Sequence, residues 1–219
     1  MTNSAHDINI VISDDHPIVL LAISASLNAV PRFRVCATAR SGTELVDTLA
    51  RVQCDLIVTD FTMQTTEADE DGLRLIGRLR RLYPKTPVVV FTMLTNGGIL
   101  HQLCQLGVAG IAGKDEEIET LAQVCQRALY AHRTVLSPRI TTRLAHEGTI
   151  ADALRTQPLS PRELEVVRLF VLGLSVTEIA RRLNRAVATV ATQKRAAMRK
   201  LHLETNADLV RYASEQGLF

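Results

Sequence analysis

Over the first 130 residues of the chain, short apolar segments alternate with amphipathic ones. We predict five strands, in INIVIS (8–13), FRVCATA (33–39), LIVTD (56–60), PVVVFTM (87–93) and GVAGIAG (107–113). The segments between them repeat apolar residues at helical spacing, and GLRLIGRLRRLY places one apolar face on Leu73, Ile76, Leu79 and Leu82. Continuously apolar strands separated by helices are typical of parallel strands that are covered on both faces. The pattern therefore predicts an α/β doubly wound five-stranded parallel sheet.

The end of the chain has a different pattern, in which a hydroxyl residue precedes an acidic residue by three positions. These pairs are Ser160/Glu163, Ser175/Glu178 and Thr205/Asp208. Each pair is typical of a capping box at the start of a helix, and Pro161 suits a first helical position. We predict helices starting at 161, 176 and 206, with a turn at Asn184 and Arg185 leading into VATVATQKRAAMRKL, hence a small all-α domain.

The length of 219 residues fits two domains and a joint. We predict one domain over 1–132, a linker over 133–157 that is helical from Pro138, and a second domain over 158–219. No apolar run reaches the roughly 18 residues of a membrane span, so we expect a cytoplasmic protein without a membrane partner. The four cysteines stand singly in apolar segments and are expected to be reduced core thiols, not a zinc or disulfide framework.

Charge is divided unevenly between the two predicted domains. Residues 1–130 hold 11 Lys/Arg and 15 Asp/Glu, a net charge of −4, whereas residues 158–219 hold 10 and 6, a net charge of +4. The basic second domain is therefore the candidate for binding nucleic acid.

Polar residues stand where the predicted strands end. Asp14 and Asp15 follow the first strand, Asp60 ends the third, Thr92 ends the fourth and Lys114 follows the fifth. Ligands of open α/β sheets bind at the carboxyl ends of the strands. We therefore expect the three carboxylates, the hydroxyl and the ammonium to share one crevice.

Three carboxylates in one crevice repel each other by roughly 4 kcal/mol per close pair at an effective dielectric of about 20. A divalent cation relieves this repulsion, and hard oxygen ligands favour Mg²⁺ over zinc. Asp14 and Asp15 can hold the metal, while Asp60 is the candidate nucleophile for a phosphoryl group. Lys114 would neutralise charge on the phosphoryl oxygens, and Thr92 can donate a hydrogen bond that exists only after phosphorylation.

The longest predicted helix of the basic domain has two contrasting faces. One face consists of Val190, Ala197 and Leu201, and the other of Ala188, Ala191, Thr192, Arg195 and Arg199. Small side chains followed by arginines suit a helix that enters the DNA major groove N-terminus first. A solvated basic helix on a bundle is the alternative for this helix taken alone.

DDHP, VTDFTM, VVVFTM and GIAGK, in this order and spacing, resemble the flavodoxin-like receiver domain of bacterial two-component response regulators. The resemblance covers residues 8 to about 130. It implies that a histidine kinase or phosphotransfer protein phosphorylates Asp60. It also implies that Asp15, Asp60 and the backbone carbonyl of Thr62 hold Mg²⁺, and that Thr92 and Lys114 sense the phosphate.

The loop after Asp60 departs from the receiver pattern. Gln64 replaces the usual proline, Gly72 comes twelve residues after Asp60 and not eight, and the intervening EADED (67–71) is acidic. Ile111 stands where many receivers carry a switching aromatic residue. These departures leave open a receiver that serves only assembly.

LSPRELEVVRLFVLGLSVTEIARRLNRAVATVATQKRAAMRKL resembles the helix-turn-helix domain of LuxR-type (NarL/FixJ) regulators. The resemblance implies that Thr192, Lys194, Arg195 and Arg199 face double-stranded DNA and that Thr177 touches phosphate. It also implies a homodimer and allows a heterodimer with an auxiliary regulator. Ala186 replaces the usual N-cap serine, and Ala191 and Gln193 replace lysine and histidine, so the target sequence does not carry over.

The sequence as a whole predicts a phosphorylation-controlled transcription factor and not an enzyme. Two alternatives stay open at this point. One is a DNA-binding regulator whose receiver only dimerises or assembles with partners. The other is a Mg²⁺-dependent phosphatase using Asp60, which the absence of a second acid/base at short spacing after Asp60 disfavours.

Overall fold

A computed structural model describes residues 7–63, 72–145, 159–201 and 203–218. The chain divides into two compact units. The first comprises Met1–Thr92 and Leu103–Thr141, and the second Met93–Gln102 and Thr142–Phe219. The predicted acidic loop EADED and most of the linker lie outside the described residues.

The first unit is built on a parallel sheet whose strands follow the order β2-β1-β3-β4-β5-β6. The strands are β1 (Ile8–Ser13), β2 (Phe33–Ala39), β3 (Leu56–Asp60), β4 (Val88–Thr92), β5 (Gly110–Gly113) and β6 (Val135–Leu136). The helices before the joint are α1 (Pro17–Asn28), α2 (Gly42–Leu49), α3 (Gly72–Leu82), α4 (Gly97–Gln105) and α5 (Ile118–Ala128). The predicted doubly wound parallel architecture is confirmed.

The prediction of five strands was one short. Val135 pairs with Gly110 and Leu136 with Ile111, which adds β6 beside β5. A strand of two residues is too short for an apolar pattern to reveal it, and it lies in the segment predicted as linker. Residues 138–145 are helical, as predicted from Pro138, and we call them α6.

Apolar side chains from both faces of the sheet form the core of the first unit. Ile10, Ile12 and Val58 of the central strands pack with Leu121 and Val124 of α5. On α3 the prediction was partly wrong, because Leu82 is 52% exposed and Leu75 is fully buried in its stead. Leu82 is the last residue of α3, so the buried apolar face of the helix ends before this position.

The second unit contains the four predicted helices of the basic domain. They are α7 (Pro161–Val171), α8 (Val176–Arg182), α9 (Val187–Lys200) and α10 (Asn206–Glu215). Reciprocal capping boxes are present at Ser160, Ser175 and Thr205, as predicted. Between α8 and α9, Asn184 takes a positive φ of 50°, which gives the predicted tight turn.

One helix start in this unit has no side-chain cap. Ala186 holds the N-cap position of α9 in extended conformation and makes no cap hydrogen bond. We expect Ala186→Ser to raise the free energy of unfolding by about 1 kcal/mol, because a hydroxyl there can accept from an unpaired backbone N–H. Urea unfolding measures this, and Ala188→Ser, an exposed change inside the helix, is the matched control. An equal response of both variants would contradict the capping explanation.

The cysteines are unpaired thiols in the described structure, with Cys125 buried and the other three partly buried. Burial raises the pKa of the Cys54 thiol to about 12, which keeps it protonated and unreactive at neutral pH. None of the described helices is both long and apolar enough to cross a bilayer.

Candidate functional site

The predicted site residues meet at the carboxyl edge of the sheet. Asp14 follows β1, Asp60 ends the adjacent β3, and Thr92 ends β4 next to it. Asp14, Asp60 and Thr92 are 0%, 5% and 1% exposed, so these three side chains are buried at this edge. A hydrogen bond of 2.8 Å from Ser13 Oγ to Thr59 Oγ1 joins β1 to β3 just before these carboxylates.

Lys114 connects the two buried carboxylates. Its Nζ lies 2.6 Å from Asp14 Oδ2 and 2.7 Å from Asp60 Oδ2. Its backbone N–H donates to the Thr92 carbonyl over 2.9 Å, which fixes the residue just beyond β5. Burial opposes the charged form of Lys114, but the Asp60 and Asp14 carboxylates outweigh it and raise the pKa of the ammonium. Lys114 is therefore a fixed cation between two anions.

Asp60 is poised to change protonation near neutral pH. Burial of its carboxyl group raises its pKa to about 6, and the nearby Asp14 carboxylate adds to this effect. The Lys114 ammonium and the Thr62 backbone N–H act in the opposite direction, because both favour the charged form. Because burial destabilises the ionised form of Asp60, an added cation beside this carboxylate would stabilise that form.

The donor set fits Mg²⁺. Ligand atoms of Asp14, Asp15 and His16 all lie within 4.8 Å of one another. Asp14, Asp15, Asp60 and Lys114 carry a formal net charge of −2, which one divalent cation balances, and carboxylate oxygens are the ligands that Mg²⁺ prefers. The Thr62 Oγ1 is buried and has no hydrogen-bond partner among the described residues, so a polar atom beside Asp60 is available to water or an ion.

His16 was not assigned a role from the sequence. Its Nδ1 lies 2.8 Å from Asp15 Oδ1, and its backbone N–H donates to Asp14 Oδ1 over 2.9 Å. His16 is the N-cap residue of α1, and its ring is largely exposed. The histidine therefore orients both carboxylates that precede it, a role that its position before Pro17 did not reveal.

Mg²⁺ affinity is expected to fall as the pH drops through about 6, the pKa of Asp60. Below this value the metal must displace a proton, so affinity should decrease up to about tenfold per pH unit. Calorimetric titration with MgCl₂ at about pH 8 and about pH 5 measures this. Asp60→Asn is the matched control, because its amide does not titrate. A wild-type affinity that stays constant between these pH values would contradict the assignment.

Residues just after Lys114 hold the chain that follows β6. Glu116 accepts hydrogen bonds from the Gly113 N–H, the Ser137 hydroxyl and the Arg139 N–H. Asp115 Oδ2 pairs with Arg139 Nη1 at 2.7 Å. No sequence pattern indicated this clasp, because it joins charges separated by more than twenty positions. It attaches the start of α6 to the loop that carries Lys114.

Three of the four predicted DNA-facing residues of α9 share one exposed face. Thr192, Arg195 and Arg199 are exposed, whereas Val190 and Ala197 on the opposite face are fully buried. Thr177 is exposed in the first turn of α8. Val190 of this buried face packs with Val166 and Ile179 of the preceding helices, so the arginines stand on a supported helix.

Lys194 has a different environment from its neighbours on α9. Its Nζ lies 3.5 Å from the centroid of the Phe170 ring and 2.7 Å from Asn206 Oδ1. Burial lowers the pKa of this ammonium. A cation–π contact and a hydrogen bond must both be broken before Lys194 reaches a phosphate, so its place at DNA stays a prediction.

In comparisons with known proteins, a family model matches each of the two domains. The model for the "Response regulator receiver domain" matches residues 10–126, and that for "Bacterial regulatory proteins, luxR family" matches residues 157–213. The chain belongs to the luxR family of bacterial response regulators. This regulator is 34% identical over 213 residues to "Transcriptional regulatory protein RcsB" of Escherichia coli (strain K12), covering 97% of each. It is 32% identical to "Oxygen regulatory protein NreC" of Staphylococcus carnosus, covering 95% of this chain and 98% of NreC.

A solved structure agrees with this assignment. RcsB from Salmonella enterica serovar Typhimurium, bound to promoter rprA with the phosphomimetic BeF3−, superposes with a TM-score of 0.79 at 33% identity. The match covers 95% of the regulator and 99% of that chain. This response regulator therefore shares its fold, and the order of its two domains along the chain, with that RcsB structure.

Proposed function

We propose that this regulator binds specific DNA sequences under the control of phosphorylation at Asp60. Residues 1–132 would act as the receiver and residues 158–219 as the DNA-binding domain, joined by residues 133–157, which include β6. The observation that carries the proposal is the buried Asp60 carboxylate, held 2.7 Å from the Lys114 ammonium at the open edge of the sheet. This arrangement suits a nucleophile whose product is a phosphoryl anion.

The phosphoryl transfer itself is an in-line displacement. A carboxylate oxygen of Asp60 forms a bond to phosphorus while the P–N bond of a donor phosphohistidine breaks, and the histidine leaves with the bonding electron pair. Asp14, Asp15, Asp60 and the carbonyl of Thr62 would hold Mg²⁺, which neutralises charge on the transferred group. The donor is a histidine kinase or phosphotransfer protein, and the group is transferred once without enzymatic turnover.

The switch would use Lys114 and Thr92, which stand at the same edge of the sheet as Asp60. In the unphosphorylated chain Lys114 pairs with both carboxylates, and the new phosphoryl oxygens would compete for the same ammonium. Thr92 at the end of β4 would donate its hydroxyl hydrogen to one of those oxygens. Movement of Lys114 would be passed to Asp115 and Glu116, which hold Arg139 at the start of α6.

DNA binding would use the exposed face of α9. Arg195 and Arg199 are long enough to read guanine edges or bind phosphate, while Thr192 lies one turn closer to the helix start. Lys194 would add a phosphate contact on release from Phe170, and Thr177 would contact phosphate from α8. One recognition helix reads few bases, so we propose a homodimer on two half-sites about one helical turn apart. A heterodimer with an auxiliary regulator would likewise place one recognition helix of each subunit on its own half-site.

Phosphodonor-dependent DNA affinity tests the proposal. A duplex is first enriched from a random-sequence pool with protein treated with acetyl phosphate and Mg²⁺, and its affinity is then measured by fluorescence anisotropy. Treated wild type is expected to bind more tightly than untreated protein, whereas Asp60→Asn should not respond to the donor. Equal affinities in all four conditions would favour the alternative in which the receiver serves only dimerisation or partner assembly.

A further inference from the structure

A cavity of about 560 Å³ lies in the first unit at the amino-terminal edge of the sheet. Pro87 precedes β4, Ala109 precedes β5 and Thr134 precedes β6, and all three residues line it. Because the strands are parallel, this edge is opposite to the one that carries Asp60 and Lys114. The cavity is therefore separate from the phosphoacceptor site, and its volume is in the usual range for small-molecule pockets.

The charged residues that line the cavity in the described part of the chain are all basic. They are Arg80 at the end of α3, Lys85 and Arg133, and His132 lies beside them. Among the residues that the structure describes, none that lines the cavity is acidic, although acidic residues outnumber basic ones in the first 130 residues of the chain. Cations gathered without a counter-charge repel one another, so the cavity favours an anion.

Arg80 presents unused hydrogen-bond donors at this cavity. Its Nη1 donates to the Thr86 carbonyl over 3.2 Å, whereas its Nε is buried and has no partner. Nε and Nη2 form one edge of the guanidinium, and each lies 3.9 Å from the point where a Cβ on Gly107 would stand. Gly107 has a φ of +76°, so glycine suits the turn, and a side chain there would add a further contact over this edge.

We infer that this cavity binds a small phosphate-bearing anion, with the Nε–Nη2 edge of Arg80 donating to two of its oxygens. A buried guanidinium donor without a partner is costly, and two parallel N–H···O bonds to a phosphate satisfy it. Arg133 and Lys85 supply further positive charge, and His132 can offer a ring N–H; all three residues are exposed. Val108, Ala128 and Leu129 form an apolar wall for the organic part of the ligand.

Binding of AMP, inorganic phosphate and adenosine to the full-length protein without Mg²⁺ tests this inference. Isotope-labelled protein allows the site to be located, because Gly107, Ala109 and Ala131 line the cavity and each gives a backbone amide signal. AMP is expected to shift these amide signals saturably and to bind more tightly than phosphate. Adenosine, which lacks the anion, should leave them unchanged.

Variants decide whether the basic residues hold the anion. Arg80→Gln should weaken AMP binding roughly tenfold or more through loss of charge-assisted hydrogen bonds. Arg133→Gln, an exposed change that the fold should tolerate, should weaken it several-fold, while Arg34→Gln on the distant edge strand β2 should have no effect. Absence of saturable shifts with both AMP and phosphate would overturn the inference. Equal affinity in wild type and both cavity variants would also overturn it, as would adenosine binding as well as AMP.

Discussion

Replacement of Lys114 by methionine is expected to lower the free energy of unfolding by about 3–5 kcal/mol at neutral pH, the usual cost of removing one partner from a buried ion pair. The Lys114 ammonium contacts both Asp14 and Asp60, and all three side chains are largely buried. Methionine has a similar length and leaves no large cavity, so the loss reports charge and not packing. Urea unfolding followed by circular dichroism measures the change.

The pH dependence identifies the cause of this loss. The folded-state pKa of Asp60, about 6, lies above the 3.8 of an exposed aspartate, so ionised Asp60 destabilises the fold as the pH rises through this window. Without Lys114 that pKa should rise further, and the variant should regain stability on acidification because Asp60 takes up a proton. Mg²⁺ should also stabilise the variant. Lys85→Met, at an exposed lysine, is the matched control, and a pH-independent deficit in Lys114→Met would contradict the electrostatic explanation.

Arg195→Ala is expected to weaken binding to the enriched duplex by about 1–3 kcal/mol, which is the discrimination that one good base contact supplies. Arg195 is exposed in the middle of α9, whose opposite face is buried, so its removal should not affect folding. The affinity for random duplexes should change much less. Anisotropy titrations with both duplexes measure the two effects separately.

Arg211→Ala is the matched control for Arg195→Ala. Arg211 is an exposed arginine of the same domain, on α10, and it pairs with Asp208 at 2.9 Å. Both variants lose one positive charge, but only Arg195→Ala should lose preference for the enriched duplex. In the wild type, the affinity for both duplexes should fall steeply as the salt concentration rises, because bound counterions are released from the DNA. Equal losses for both variants on both duplexes would remove Arg195 from base recognition.

Most of the fold could be predicted from the sequence because its strands are largely apolar and several of its helices carry explicit caps. The five main strands lie in mainly apolar segments, and Ser160, Ser175 and Thr205 mark three helix starts. β6 was missed because two residues carry no periodicity. Leu82 was misplaced because spacing alone does not show where a helix ends.

The sequence could predict which residues come together at this edge of the sheet, but not the contacts that their side chains make. Asp14, Asp60 and Lys114 follow different strands, and parallel topology brings those strand ends together whatever the side chains do. The bridging of both carboxylates by one ammonium depends on rotamers that a pattern does not encode. The same holds for Lys194, whose contact with Phe170 joins two helices and has no sequence signal.

The central claim is that Asp60 is the phosphoacceptor, and intact-mass measurement tests it most directly. Purified protein is incubated with acetyl phosphate, with and without Mg²⁺, beside Asp60→Asn treated in the same way. We predict one phosphoryl adduct on the wild type with Mg²⁺ and none on the variant or without the metal. An adduct of equal yield on Asp60→Asn would contradict the claim, because another residue would then accept the phosphoryl group.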